Sequence, residues 1–315
     1  MGGEGPVLAL SGGVGGAKLA LGLYRILPPD TLTIVANTGD DFEHLGLAIS
    51  PDLDTLLYTL SGDANPELGW GRRGETWTFM AALEKLGGET WFRLGDGDLA
   101  THVERTRRLH GGESLSAIID DFRRRLGIAA RLLPMSDDKV RTRLETNQGW
   151  LDFQDYFVRL RCEPVVRRIE FAASETARPQ PELLAALADP SLRAVVVCPS
   201  NPFISIDPML AIPGMRQALG DCRAPIVAVS PIITGKAVKG PTAKMMEELG
   251  LPVDATTVAR HYRDFIDAYV ADEADRGAVA GLDLPVMLAP TLMVSVEDRE
   301  ALARIVLAAA AQVRK

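Results

Sequence analysis

Apolar residues fall in short unbroken runs at both ends of the chain. VLALS (7–11) is followed by a helically spaced stretch over about 17–27, and LTIVANT (32–38) comes next, after Pro28-Pro29-Asp30. Runs of this kind suit strands buried on both faces, so the opening reads as a βαβ unit of a parallel sheet. A second set appears late, as AVVVCPSNP (194–202), PIVAVSP (225–231) and VMLAP (286–290), with helical spacing around 207–219, 241–249 and 297–313. The pattern predicts an α/β fold, doubly wound around a mostly parallel, Rossmann-like sheet.

The middle of the chain departs from this rhythm. Arginine-rich helical stretches, ERTRRLHGG and DDFRRRLG, precede strand-like alternation over 149–161. Residues 1–87 and 181–315 are therefore expected to form a Rossmann-like nucleotide-binding core, with 88–180 an α+β insertion. The arginine runs read as solvated helix faces, with a lid over an anionic substrate as the sharper alternative. No fixed-period repeat or low-complexity linker is present.

Composition narrows the function classes. At 315 residues and 47% hydrophobic, the chain can bury a large core. A formal charge of −8 argues against nucleic acid or an anionic membrane as partner. Cys162, Cys198 and Cys222 form no CxxC pair, and their odd number argues against a disulfide framework. The glycine cluster begins too early to leave room for a signal peptide, and no apolar run approaches the ~18 residues of a membrane span. The expectation is a cytoplasmic protein.

LSGGVGGAK (10–18) carries the first candidate chemistry. The dinucleotide fingerprint fails because Lys18 stands where a third glycine belongs, and LTIVANT offers no acidic residue for a ribose. The Walker pattern fails for want of Gly-Lys-Ser/Thr. What remains is a strand-to-helix turn where Gly12, Gly13, Gly15 and Gly16 let backbone amides approach a diphosphate, with Lys18 adding charge. The bland account is a tight turn without a ligand.

NTGDDFEHLGLAISPDLDTLLYTLSG (37–62) carries the second. Asp40 and Asp41 follow the second strand, where open α/β sheets place ligands, and Asp52 and Asp54 come soon after. Four carboxylates near a phosphate call for a cation, and magnesium suits carboxylates with phosphate oxygens. Ser50-Pro51-Asp52 also reads as a helix start, which gives Asp52 a purely structural alternative. Asp54 lies beside the buried face formed by Leu53, Leu56, Leu57 and Leu60.

These segments, together with GWGRRGETW, LGDGDLATH, LLPMSDD, FQDYF, PSNPFISI, IPGM and SPIITGKAVKGP, occur in the order seen in the 2-phospho-L-lactate transferase family, which the chain resembles over about residues 6–300. The resemblance implies a magnesium-dependent homodimer of coenzyme F-420 biosynthesis. Its GDP-linked donor would carry 2-phospholactate, phosphoenolpyruvate or phosphoglycerate. Its acceptor would be the ribityl hydroxyl of 7,8-didemethyl-8-hydroxy-5-deazariboflavin (Fo), and GMP would leave.

The same resemblance implies that Asp54 orients the acceptor hydroxyl as the catalytic residue, with His102 also near substrate. Asp41, with Asp40 as alternate, would hold the metal. Ser200, Asn201, Ser230 and Gly235 would join the glycine turn around the nucleotide, with Gly240, Lys236 and Lys239 as lesser candidates. His44 could also contact substrate. The family motif has arginine where this chain has Gly97, leaving Arg93, Arg72 or Arg73 as possible replacements. A nucleotide-sugar-binding regulatory protein of the same superfamily is the alternative, although it would lack PDLDT.

Overall fold

The computed structural model describes residues 5–66, 71–237 and 240–313. β1 (Val7–Ser11) leads into α1 (Gly13–Ile26) and β2 (Leu32–Ala36). The hairpin of β3 (Phe42–His44) and β4 (Leu47–Ile49) comes next, followed by α2 (Pro51–Ser61), α3 (Thr78–Lys85), α4 (Asp96–His110) and α5 (Leu115–Arg125). The remaining strands are β5 (Arg131–Pro134), β6 (Arg141–Thr146), β7 (Gly149–Asp152), β8 (Val166–Ala172), β9 (Ala194–Val197), β10 (Ile226–Val229), the pair β11 (Ile232–Ile233) and β12 (Lys236–Ala237), β13 (Ala268–Asp272) and β14 (Val286–Ala289).

Seven strands form the central sheet in the order β14-β13-β10-β9-β1-β2-β5, and every pairing is parallel. The chain winds outward from β1 in one direction and from β9 in the other. The switch point between them opens a crevice at the strands' C-terminal ends, where α/β sheets bind ligands. Period-2 alternation divides the core into two layers. Val7 and Ala9 of β1 face one layer with Leu19 and Leu23 of α1, and Leu8 and Leu10 face the other with Val195 and Val197 of β9.

Several expectations are corrected. Residues 88–180 supply the three-stranded sheet β7-β6-β8 but also β5, which completes one edge of the central sheet. The segment is thus part insertion and part core. The alternation over 149–161 ends after β7, and Asp155–Arg159 coils into a π-helical turn that buries Tyr156. The single helix expected over 207–219 is two, Asp207–Leu210 and Met215–Gly220, because Pro213 and Gly214 (φ +86°) interrupt it. Helix α1 starts at Gly13, not near residue 17, so the glycines form its first turn. Among the described residues, no helix is long and apolar enough to cross a membrane.

Helix α1 lies against the C-terminal helix Val296–Gln312, and the two backbones come close at Gly22, where an added Cβ would strike the Arg299 carbonyl. Gly22→Ala must therefore push two backbones apart. Overpacking of this kind costs about 1–3 kcal/mol, so calorimetry should show a melting temperature several degrees lower. An unchanged melting temperature would refute the tight packing.

Candidate active site

The glycine turn meets the loop after β9 at very short range. A Cβ on Gly12 would lie 2.5 Å from Ser205 Cβ, one on Gly15 2.5 Å from the Pro199 carbonyl oxygen, and one on Gly16 2.5 Å from Ser11 Oγ. Three of the four glycines are thus required by protein packing. Gly13 is different, because its φ of +66° favours glycine and a Cβ there would meet nothing within 4 Å. Gly12 N–H donates to Ser200 Oγ (3.0 Å), and Gly13 N–H donates to Asp52 Oδ1 (2.7 Å). Asp52 also accepts from Asn37 Nδ2 (3.0 Å). The positive end of α1 is thereby answered by a carboxylate from the start of α2. Val14 and Gly15 carry the remaining unpaired amides of that first turn, since Gly16 already begins the intrahelical bonding.

A cavity of about 680 Å³ opens beside this turn, lined by Gly12, Gly13, Gly15 and Lys18, by Asp40, Asp52, Asp54, Asp98 and His102, and by Ser200, Asn201 and Ser230. Most of the expected site residues therefore share one wall. Lys18 Nζ donates to the Met293 carbonyl (2.7 Å), and Asn201 caps the turn 202–206 by accepting from Phe203 N–H. The Ser230 hydroxyl closes a turn onto Ile232.

The rest lie elsewhere. Gly235 sits in the tight β11–β12 turn at φ +71°, which favours glycine, and does not line the cavity. His44 is buried among Phe42, Trp91 and Phe92. Gly97 is set behind Asp98, and its amide donates to Glu75 Oε2 (2.6 Å). A Cβ there would lie 3.0 Å from Glu75 and 3.1 Å from Arg72 Nη1. Of the three candidate replacements, Arg72 is thus the one beside position 97, whereas Arg93 stacks over Trp77 at 4.1 Å. Gly240 lines the cavity, Lys236 does not, and Lys239 lies outside the described residues.

The acidic residues divide into two groups. Asp40 and Asp41 are buried, and each leaves Oδ1 without a hydrogen-bond partner. Burial, reinforced by the Asp52 carboxylate, raises Asp40 well above the carboxylate range. Burial also lifts Asp41 to about 7 despite the pull of Arg141 and the hydrogen bond from Ser50. Orphaned, desolvated carboxylate oxygens fit a hard divalent cation, which would restore the charged form. Asp40 lines the cavity, and Asp41 lies behind it.

The second group is Asp54, Asp98 and His102, whose ligand-type atoms all lie within 4.8 Å of one another. Asp54 is where it was expected, but both its oxygens are gripped by Arg105, a wholly buried arginine from α4. Burial raises Asp54, and Arg105 is foremost among the groups pulling it back. Tyr58 Oη donates to Asp98 Oδ1 (2.5 Å). Asp98, His102 and Arg105 recur at spacings of four and three, one helix face. That spacing was the available signal for Arg105, which the expectation of solvated arginines overlooked. Arg107, Arg124 and Arg125 do lie at the surface, paired with Glu104, Asp120 and Asp121. Phe153 and Phe157, also missed, stack at 5.3 Å and 13° and add a flat aromatic wall.

Residues 7–281 match the family described as 2-phospho-L-lactate transferase CofD. The chain is 42% identical over 318 residues to the phosphoenolpyruvate transferase of Kitasatospora aureofaciens, covering 98% of both. It is 40% identical over 306 residues to the 2-phospho-L-lactate transferase of Methanosarcina mazei, covering 96% of this chain and 100% of that one. It is similar in fold to a crystal structure of a UPF0052 family member from Bacillus halodurans, with a TM-score of 0.65 at 15% identity over 96% of this chain and 99% of that one.

The raised Asp41 carboxyl has a measurable consequence. A folded state that keeps its proton up to about pH 7, while the unfolded chain loses it near 3.8, is stabilised at low pH and loses that contribution as pH rises through 7. In chelator-treated protein, Asp41→Asn should therefore melt higher than wild type at pH 8, with a smaller gap at pH 5. Parallel melting curves across that range would contradict the assignment.

Proposed function

This chain belongs to the 2-phospho-L-lactate transferase CofD family, and we propose that it moves a phosphorylated three-carbon acid from a GDP-linked donor to the ribityl hydroxyl of Fo, releasing GMP, as a step of coenzyme F-420 biosynthesis. The observation that carries this reading is the meeting, in one cavity, of a glycine-rich helix N-terminus with two distinct carboxylate groups. The relatives' names divide between phosphoenolpyruvate and 2-phospholactate at 42% and 40% identity, so both donors enter the test below.

In this reading the diphosphate lies at the first turn of α1, where the amides of residues 14 and 15 and the helix dipole favour anions and Lys18 adds charge. Asp40, with Asp41 behind it, would hold magnesium, which when bound would neutralise the diphosphate and the departing GMP. The Phe153–Phe157 stack gives the tricyclic ring of Fo a flat apolar surface. Asp54, fixed by Arg105, orients the ribityl chain. Alcohol attack on a phosphoanhydride depends chiefly on such positioning and on charge neutralisation. Homodimer assembly is part of the same reading.

Incubation of the protein with Fo, magnesium and GDP-activated lactate, enolpyruvate or glycerate, read by mass spectrometry, tests it. The expected outcome is a new Fo phosphodiester and equimolar GMP with at least one donor, abolished by a chelator. Binding of a GDP-linked compound without transfer from any donor would favour the regulatory alternative.

A further inference from the structure

We propose that His102, not Asp54, takes the proton of the attacking hydroxyl, with Asp98 as its positioning partner; the inference rests on the transferase reading above. His102 is 1% exposed, yet it forms part of the cavity wall. Nδ1 has no hydrogen-bond partner, and Nε2 meets only the Asp98 carboxylate. A buried polar group left this way marks a place where a ligand completes the bonding. Nε2 lies 3.2 Å from Asp98 Oδ2, one turn earlier on α4, and Nδ1 lies 3.7 Å from Asp54 Oδ2. The nearer carboxylate assigns the ring proton to Nε2. That leaves the Nδ1 lone pair beside Asp54, where the acceptor hydroxyl is oriented. A carboxylate that fixes the tautomer of a neighbouring base is a recurrent catalytic device.

The charged groups around the ring support this division of labour. They are Asp54 and Tyr58 from α2, Asp98 and Arg105 from α4, and Asp41 acting on Asp54 from the turn before β3. If Asp54 took the proton, the buried Arg105 guanidinium would lose its counter-charge, a costly state. Burial works to raise Asp98, but His102, Tyr58 and Arg105 outweigh it and hold the carboxyl below its ordinary range. Asp98 therefore remains an anion able to balance an imidazolium. The same three side chains could instead hold a metal. Arg105 opposes a cation at Asp54, however, and an imidazole ligand suits transition metals better than magnesium.

The step balances. The hydroxyl O–H bond breaks and its proton moves to Nδ1 as the oxygen bonds to the donor's acid-bearing phosphorus. The bond from that phosphorus to the bridging oxygen breaks, and its electron pair leaves on GMP. The imidazolium, set between Asp98 and Asp54, then returns its proton to water.

His102→Gln, with folding checked by circular dichroism, should lose on the order of 10²- to 10⁴-fold in turnover. Its affinities for GDP and Fo should stay within about threefold of wild type, and the acidic limb of its pH–rate profile should disappear. Imidazole should restore part of the turnover of His102→Gly, and Asp98→Asn should lower kcat with little change in KM for Fo. Near-normal turnover in a folded His102→Gln, or a matching loss of Fo affinity, would overturn the proposal. So would cobalt(II) absorption bands in wild type that vanish in the variant, since they would make His102 a metal ligand. Absence of transfer by wild type would overturn the underlying reading as well, and is distinguished by assaying wild type first.

Discussion

Arg105 reaches out of α4 and grips both oxygens of Asp54 on α2, with its guanidinium wholly buried. Removing either partner would strand a buried charge, at a cost of about 3–5 kcal/mol. The pair therefore fixes α4 against α2, and with it everything that α4 carries. Asp98 and His102 stand on the same face of α4 as Arg105, so their distances to Asp54 follow from this contact. The hydroxyl of Thr106, next in the chain, accepts from the Ala48 amide of β4 and ties the same helix to the β3–β4 hairpin. An ion pair of this kind is weak evidence for stability, but it is a strong device for placing side chains to within a fraction of an ångström.

The other half of the cavity depends on backbone proximity. Strand order places β1 beside β9, so the turn after each strand meets the other at the crevice mouth. Gly12, Gly15 and Gly16 allow the first turn of α1 to press onto the loop at 199–205, and Ser200 and Asp52 take up two of the amides this exposes. The glycine motif is thus mainly a packing solution, which leaves the amides of Val14 and Gly15 at the helix end. Gly13 differs from the other three in its left-handed backbone and open surroundings.

Much of this was legible from residue patterns, for identifiable reasons. Strands β1, β2, β9 and β10 are nearly continuous apolar runs because the sheet buries them on both faces, whereas β14 is an apolar edge strand that is only half-buried. β5 was hidden in the arginine-rich middle because RLLP is short and ends in proline, and AYVAD of β13 was passed over between helical segments. Asp54 stood out because it lies beside a leucine face. Arg105 did not, because one arginine of ERTRRLH is buried only through a tertiary partner that no local pattern shows. The same limit applies to Gly97, whose place is explained by Glu75 and Arg72, more than twenty residues away in the chain.

The account's central claim is that nucleotide and acceptor meet in this one cavity, bridged by the Asp54–Arg105 contact. A crystal structure of the protein with GDP and Fo both bound tests it directly. The account predicts the GDP phosphates at the amides of residues 14 and 15 and the terminal ribityl hydroxyl beside Asp54, within hydrogen-bond distance of His102 Nδ1. Fo bound outside the cavity, or a ribityl chain pointing away from His102, would contradict it.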